Sequence, residues 1–314
     1  MNLLVSCIST QHSTLKQHWT ATREEIACPV SVLGSFQKPQ AGQQGLLCLL
    51  DEKGQPQKML EMLTPAGMVH SNQGIFVATP SSIHEIGHDL SLKRQDAVSL
   101  PLFNLLHSLS RTQHGYLAAS SGTDTIIEFD EDGQQLWSWC ALDHGFILTP
   151  TGEARELDQS ADHRGTKYGT LTQTTHINSA AELPDGTILA SLFHQGMVIA
   201  IDRASGNWHT VLEGLDHPHA IRILDARHIT LADTVRGRAL MLSLDEDLKG
   251  HIESEVFADT EWLQDCQYYI DYDRWILVDG KHSRVTVKSG PSGSKTLFQF
   301  DLNPEWRLYE ALIV

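Results

Sequence analysis

The feature that most narrows what this chain can become is an internal repeat. Four segments share one grammar: NLLHSLSRTQHGYLAASSGTDTIIEFDEDGQQLWSW from Asn104, THINSAAELPDGTILASLFHQGMVIAIDRASGNWHTV from Thr175, HPHAIRILDARHITLADTVRGRALMLSLDEDLKG from His217, and DCQYYIDYDRWILVDGKHSRVTV from Asp265. Each opens on a polar residue, often His, and runs through an apolar stretch to a turn such as Pro184-Asp185-Gly186. It continues as an apolar strand ending in a small or acidic residue, then adds a third strand beyond a polar turn. Such a unit cannot bury its faces alone, and recurrence about every 40 residues points to copies arranged around an axis, a β-propeller. A weaker copy begins at His70, and QQGLLCLLDEKGQPQKMLEML from Gln43 supplies two outer strands of another. LLVSCIS near the start and RLYEALIV at the end are candidates to pair and complete the last blade, which removes free sheet edges. The expectation is an all-β protein, one domain over residues 1–314, with about six four-stranded blades and almost no helix.

Charge excludes one class of partner. Against 39 Asp and Glu stand 23 Lys and Arg, a net charge of −16, which repels a nucleic-acid backbone. No stretch approaches the ~18 consecutive apolar residues that span a membrane, and the N-terminal MNLLVSCISTQHS has no basic leader, so it reads as a strand. The cysteines, Cys7, Cys28, Cys48, Cys140 and Cys266, are odd in number and show no C-x-x-C spacing. Reduced thiols in a cytoplasm are expected, with a small molecule as partner.

In a propeller the innermost strand of each blade lines the central channel, and its start lies at one mouth. His107, His176 and His219 fall at closely equivalent places in three consecutive blades, with His70 and Asp265 similarly placed in neighbours. His176 and His219 are 43 residues apart, one blade's worth. A buried imidazole needs hydrogen-bond partners, so a channel position that only packed would be better filled by Leu. Convergent histidines suit nucleophilic or acid–base catalysis without a cofactor. They equally suit a transition metal (Fe, Zn, Cu or Mn) held by His70, His107, His176, His219 and Asp265 in a hydrolase, lyase or oxygenase. A third class is a non-enzymatic binding propeller, against which the aligned channel histidines count.

One stretch breaks the rhythm. About 35 residues, 141–174, are inserted where one blade hands over to the next, and long connections inside compact domains are often functional. The insertion ends just before His176, so it is expected to fold over the mouth as a lid. Its DHRGTKYG segment offers His163, Arg164, Lys167 and Tyr168 to a substrate.

The run HINSAAELPDGTILASLFHQGMVIAID resembles the bacterial arylsulfotransferase family, in which an HxNS motif opens a blade and a strand close to S-x-R-H-Q-x-x-I follows. The blade with His107 and IIEFDEDGQQLWSW and the one with HPHAIRIL are similar to their family counterparts, so the resemblance covers about half of the chain, from His107 to Asp233. It implies ping-pong sulfuryl transfer between phenols. By position, His219 would be the covalent nucleophile, His176 and Asn178 would hold the sulfuryl oxygens, and His107 would act on the phenol as acid or base. Where the family carries arginine, this chain has Phe193, in Ser191-Leu192-Phe193-His194-Gln195. Arg164 or Lys167 is then the expected replacement cation, with His194 also beside the substrate.

Overall fold

The computed structural model describes residues 2–17 and 44–314; Cys28 lies outside them. Six antiparallel four-stranded sheets form a β-propeller, as expected from the repeat. Blade one is built from both ends of the chain. Its inner strand is the C-terminal Arg307–Ile313, paired with Leu3–Ser9 in a register that sets Leu3 opposite Ile313, and Gln44–Leu50 and Pro56–Leu63 follow outward. The inner strands of blades two to six are Met68–His70, Leu106–Arg111, Ile177–Glu182, Pro218–Ile223 and Leu263–Tyr269.

Burial explains the strand composition. A second strand such as Tyr116–Ser120 (YLAAS) or Ile188–Leu192 (ILASL) is covered on both faces by the adjoining blades, so it reads as a continuous apolar run. The outer strands Pro56–Leu63 and Lys295–Asp301 face solvent and carry most of the polar residues. Every neighbouring pair of blades shares an apolar cluster. Leu189 and Val198 meet Leu231 and Leu240 between blades four and five. The ring closes through Leu4 and Leu47 against Met68 and Val77 on one side of blade one, and Leu3 and Val5 against Val278 and Val287 on the other. The acidic hairpin tips are local turns: Asp130 Oδ1 accepts from the Asp132 and Gln134 amides, and Asp245 Oδ1 from those of Asp247 and Lys249. Among the described residues, Cys7, Cys48, Cys140 and Cys266 are free and buried, and no helix is long and apolar enough to cross a membrane.

Candidate active site

A backbone irregularity near the start of the inner strand, present in five of the six blades, decides which side chains meet on the axis. In blade three Leu106 pairs with Ser120 and Ser108 with Ala119, so His107 is the extra residue of a β-bulge. Asn178, Gln264 and Tyr309 are the extra residues of blades four, six and one. In blade five the irregularity falls between His219 and Arg222, yet His219 has the same offset from its strand's first residue, Pro218. A bulge swings its extra residue out of the ladder. The result is a tier of channel side chains: His107, Asn178, His219, Gln264 and Tyr309, with Gly67 completing it. Glycine is required there, because a Cβ would stand 2.7 Å from the His107 carbonyl oxygen. The five side chains line a cleft of about 220 Å³, counting space open to solvent.

This register corrects the sequence reading in two places. The counterpart of His107 and His219 is Asn178, whereas His176 precedes the strand and matches Leu105 and His217. All three of these residues take positive φ (50°, 52° and 60°). His176 nevertheless reaches the cluster, its ring 4.7 Å from that of His107. His70 does not belong: it lies at the far end of its short strand, exposed, with Nε2 on the Ile313 carbonyl. Gly67 takes the place expected for it. Asp265 lies one residue beyond the tier and helps form the cleft floor.

The two tier histidines are oriented alike. His107 Nδ1 donates to the Leu105 carbonyl at 2.8 Å, and His219 Nδ1 to the His217 carbonyl at 3.0 Å, with Thr234 Oγ1 at 2.8 Å. A carbonyl only accepts, so each Nδ1 carries the proton and each Nε2 keeps its lone pair. Burial holds His107 down at about 4, and burial with the neighbouring His107 holds His219 at about 3, so both are neutral at pH 7. Burial and the surrounding imidazoles hold His176 well below the ordinary histidine value too. Phe193 is buried among these rings, 4.7 Å from His176, 4.2 Å from His217 and 5.6 Å from His219. Asn178 Oδ1 is buried without a protein partner, and its Nδ2 reaches the Pro218 carbonyl only at 3.4 Å, so the amide is open to a ligand. On the floor, Arg222 bridges Asp265 (3.1 Å) and Glu310 (3.2 Å).

The insertion contributes differently from expectation. Arg164 is exposed and bonded to Asp162 and Ser99, and Lys167 is exposed. His163 staples the loop internally through Tyr168 Oη and the Asp158 carbonyl, while Asn104 holds the His163 and Thr166 carbonyls. None of these residues lines the cleft. The cation that points inward is Arg155, which the sequence reading missed. It stacks on Tyr168 and bonds the Gly122 carbonyl and Asp124, a buried carboxylate that also accepts from the Thr174, Thr175 and His176 amides. Asp124 thereby clamps the insertion and holds His176 in its strained conformation, while His194 bonds the Thr170 carbonyl. Among the described residues no three His, Cys, Asp or Glu side chains are grouped to hold a metal ion. His84 and Glu85 are occupied within blade two, by the Asp96 amide and by Arg94 and Ser71.

Comparison with known proteins bears on both fold and chemistry. The arylsulfotransferase (ASST) family model matches residues 94–209, covering His107, His176 and Asn178 and ending before His219. No curated protein matches the sequence. Among solved structures, a protein of unknown function from Bacteroides caccae is 12% identical with a TM-score of 0.60, over 99% of this chain and 97% of that one. A chain of the nidogen/laminin complex is 11% identical with a TM-score of 0.60 over the same shares. A protein from Lactobacillus plantarum is 12% identical with a TM-score of 0.56, over 98% and 99%. At such identities the likeness is one of fold.

Proposed function

We propose that the protein is an enzyme that transfers a sulfuryl group between small aromatic molecules, with His219 as covalent nucleophile. The observation that carries this reading is the matched pair of neutral imidazoles, each held by a backbone carbonyl at Nδ1 and each lining one cleft. The family-model match over blades three and four supports the same chemistry. His219 Nε2 attacks sulfur, an N–S bond forms, the S–O bond to the donor phenol breaks, and the phenolate departs. In the second half the acceptor phenol gives its proton to His107 Nε2, its oxygen attacks sulfur, and the N–S bond breaks to regenerate His219. The proton stored on His107 then goes to the next leaving phenolate. Asn178 and His176 steady the transferring group, and the insertion shields the mouth on the side of blade three.

The test is incubation of purified protein with 4-nitrophenyl sulfate and a second phenol. Nitrophenol release, together with a protein adduct of one SO3 group mapped to His219, is the expected result. Absence of release and adduct overturns the reading. Elemental analysis showing one tightly bound transition metal per chain, lost in His107→Ala and His219→Ala, would replace it with metal-dependent chemistry.

A further inference from the structure

The closing blade holds chemistry that the mechanism above leaves unused. Counting back two residues from the tier residue of each blade, Arg307 stands where blades four and five have His176 and His217, and Tyr309 itself stands where blades three and five have His107 and His219. Both residues are buried and come from one strand, Arg307–Ile313. The Tyr309 ring lies 5.9 Å from that of His107 and borders the cleft. The Arg307 guanidinium lies over the Trp262 ring at 5.3 Å, and the Trp262 ring is 6.1 Å from that of His219.

Gly280 makes room for that guanidinium. Leu263 pairs with Asp279 as Ile177 pairs with Leu192, so Gly280 is the blade-six counterpart of Phe193. Arg307 donates to the Gly280 carbonyl, and a Cβ at Gly280 would lie 3.3 Å from Arg307 Cζ. Where blade four fills this corner with an aromatic ring, blade six leaves it to a cation. Burial lowers Arg307 only to about 10, so the charge persists at neutral pH, and it is one of the influences holding His219 down.

Building on the sulfuryl-transfer reading, we infer that Arg307 and Tyr309 form the anion-binding corner of the mouth, holding the oxygens of a singly charged tetrahedral oxyanion whose central atom faces His219. The tyrosine supplies a hydroxyl donor on the histidine tier and the arginine supplies the counter-charge one step above it. Arg222 on the floor is taken up by Asp265 and Glu310, so the corner brings one guanidinium to the ligand, which suits a monoanion, the charge of a sulfate monoester or a sulfonate, over the dianion of a phosphate monoester.

The probe is an aryl sulfonate, which binds as the anion and offers no oxygen leaving group; phenol serves as the neutral control and phenyl phosphate as the dianion. Affinities are read by calorimetry on the parent, Tyr309→Phe, Arg307→Gln and Arg307→Lys. Losing one charge-assisted hydrogen bond should weaken sulfonate binding by about tenfold or more in Tyr309→Phe and further in Arg307→Gln, with Arg307→Lys between, while phenol binding stays within about twofold. If Arg307→Gln does not fold, Tyr309→Phe and Arg307→Lys carry the test. Unchanged sulfonate affinity in these variants, or equal losses for sulfonate and phenol, overturns the assignment and leaves sulfuryl transfer standing. Tighter binding of phenyl phosphate overturns the monoanion preference. A parent that binds no sulfonate removes both this assignment and the reading it rests on.

Discussion

Blades three to five and blades six and one share a backbone and differ in chemistry. On the first side the tier positions carry His107, Asn178 and His219, neutral groups of which the two histidines are set by local carbonyls only two residues away. On the other side stand Gln264 and Tyr309, with Asp265 and Glu310 beneath them, both bridged by Arg222 reaching across from blade five. Glu310 also accepts from the Met68 amide of blade two and Asp265 from the Ala311 amide of blade one. A repeated backbone thus positions side chains with sixfold regularity while chemistry is divided between two halves: reactive nitrogens on one, and charged groups that lock the ring closed on the other.

The largest effect expected from this division is catalytic. His219→Ala should lower kcat for nitrophenol release by about 10⁴-fold or more, the scale seen when a nucleophile is removed, with the melting temperature little changed. A loss below tenfold would place the nucleophile elsewhere. His107→Gln should cost about 10²–10⁴-fold, the scale of general acid–base catalysis, and the loss should fall on the half-reaction that consumes the acceptor phenol. Single-turnover mixing of pre-formed adduct with acceptor separates the two halves.

The closing side should respond in stability instead. Arg222→Met leaves Asp265 and Glu310 buried without their cation, and breaking a buried ion pair from one side costs about 3–5 kcal/mol. The triple variant Arg222→Met with Asp265→Asn and Glu310→Gln should recover most of that in urea unfolding, since no uncompensated charge remains. Equal destabilisation in single and triple variants would show that the network acts through shape and not charge.

The smallest effect is a pH response of opposite sign on the two sides. His107 and His219 titrate near 4 and 3 in the fold against about 6.5 unfolded, so the unfolded chain binds more protons and stability falls as pH drops below about 6.5. Glu310, raised to about 8 by burial, binds a proton in the fold that the unfolded chain has released above about 4.5; its contribution is present at low pH and is lost as pH rises through 8. Melting curves from pH 4 to 9 should show His107→Gln flattening the acid limb and Glu310→Gln the alkaline limb. The two limbs responding to the same variant would break the comparison.

Much of the fold was readable from the chain alone because strand alternation and turn chemistry are local and recur in every blade. The pairing of LLVSCIS with RLYEALIV followed from the need to close the ring. His107 and His219 were also readable, since they keep a nearly constant distance from the turn that follows them. His70 was not, because the repeat grammar tolerates a shift of three residues that the bulge does not. Arg155 was missed because its partner, Asp124, sits in the preceding blade's turn and nothing in the linear spacing of the two marks the contact.

The residue pattern by itself determined a ring of about six antiparallel blades, an insertion between two of them, and a net charge of −16. Only the tertiary structure decided which residue of each repeat reaches the axis. Five of the six inner strands carry an irregularity near the start, and Asn178, two residues beyond His176, is the one that joins the histidine tier. It also decided the charges: Arg307 finds room over Gly280, and Arg222 finds Asp265 and Glu310, because ring closure brings the chain's end beside blades five and six.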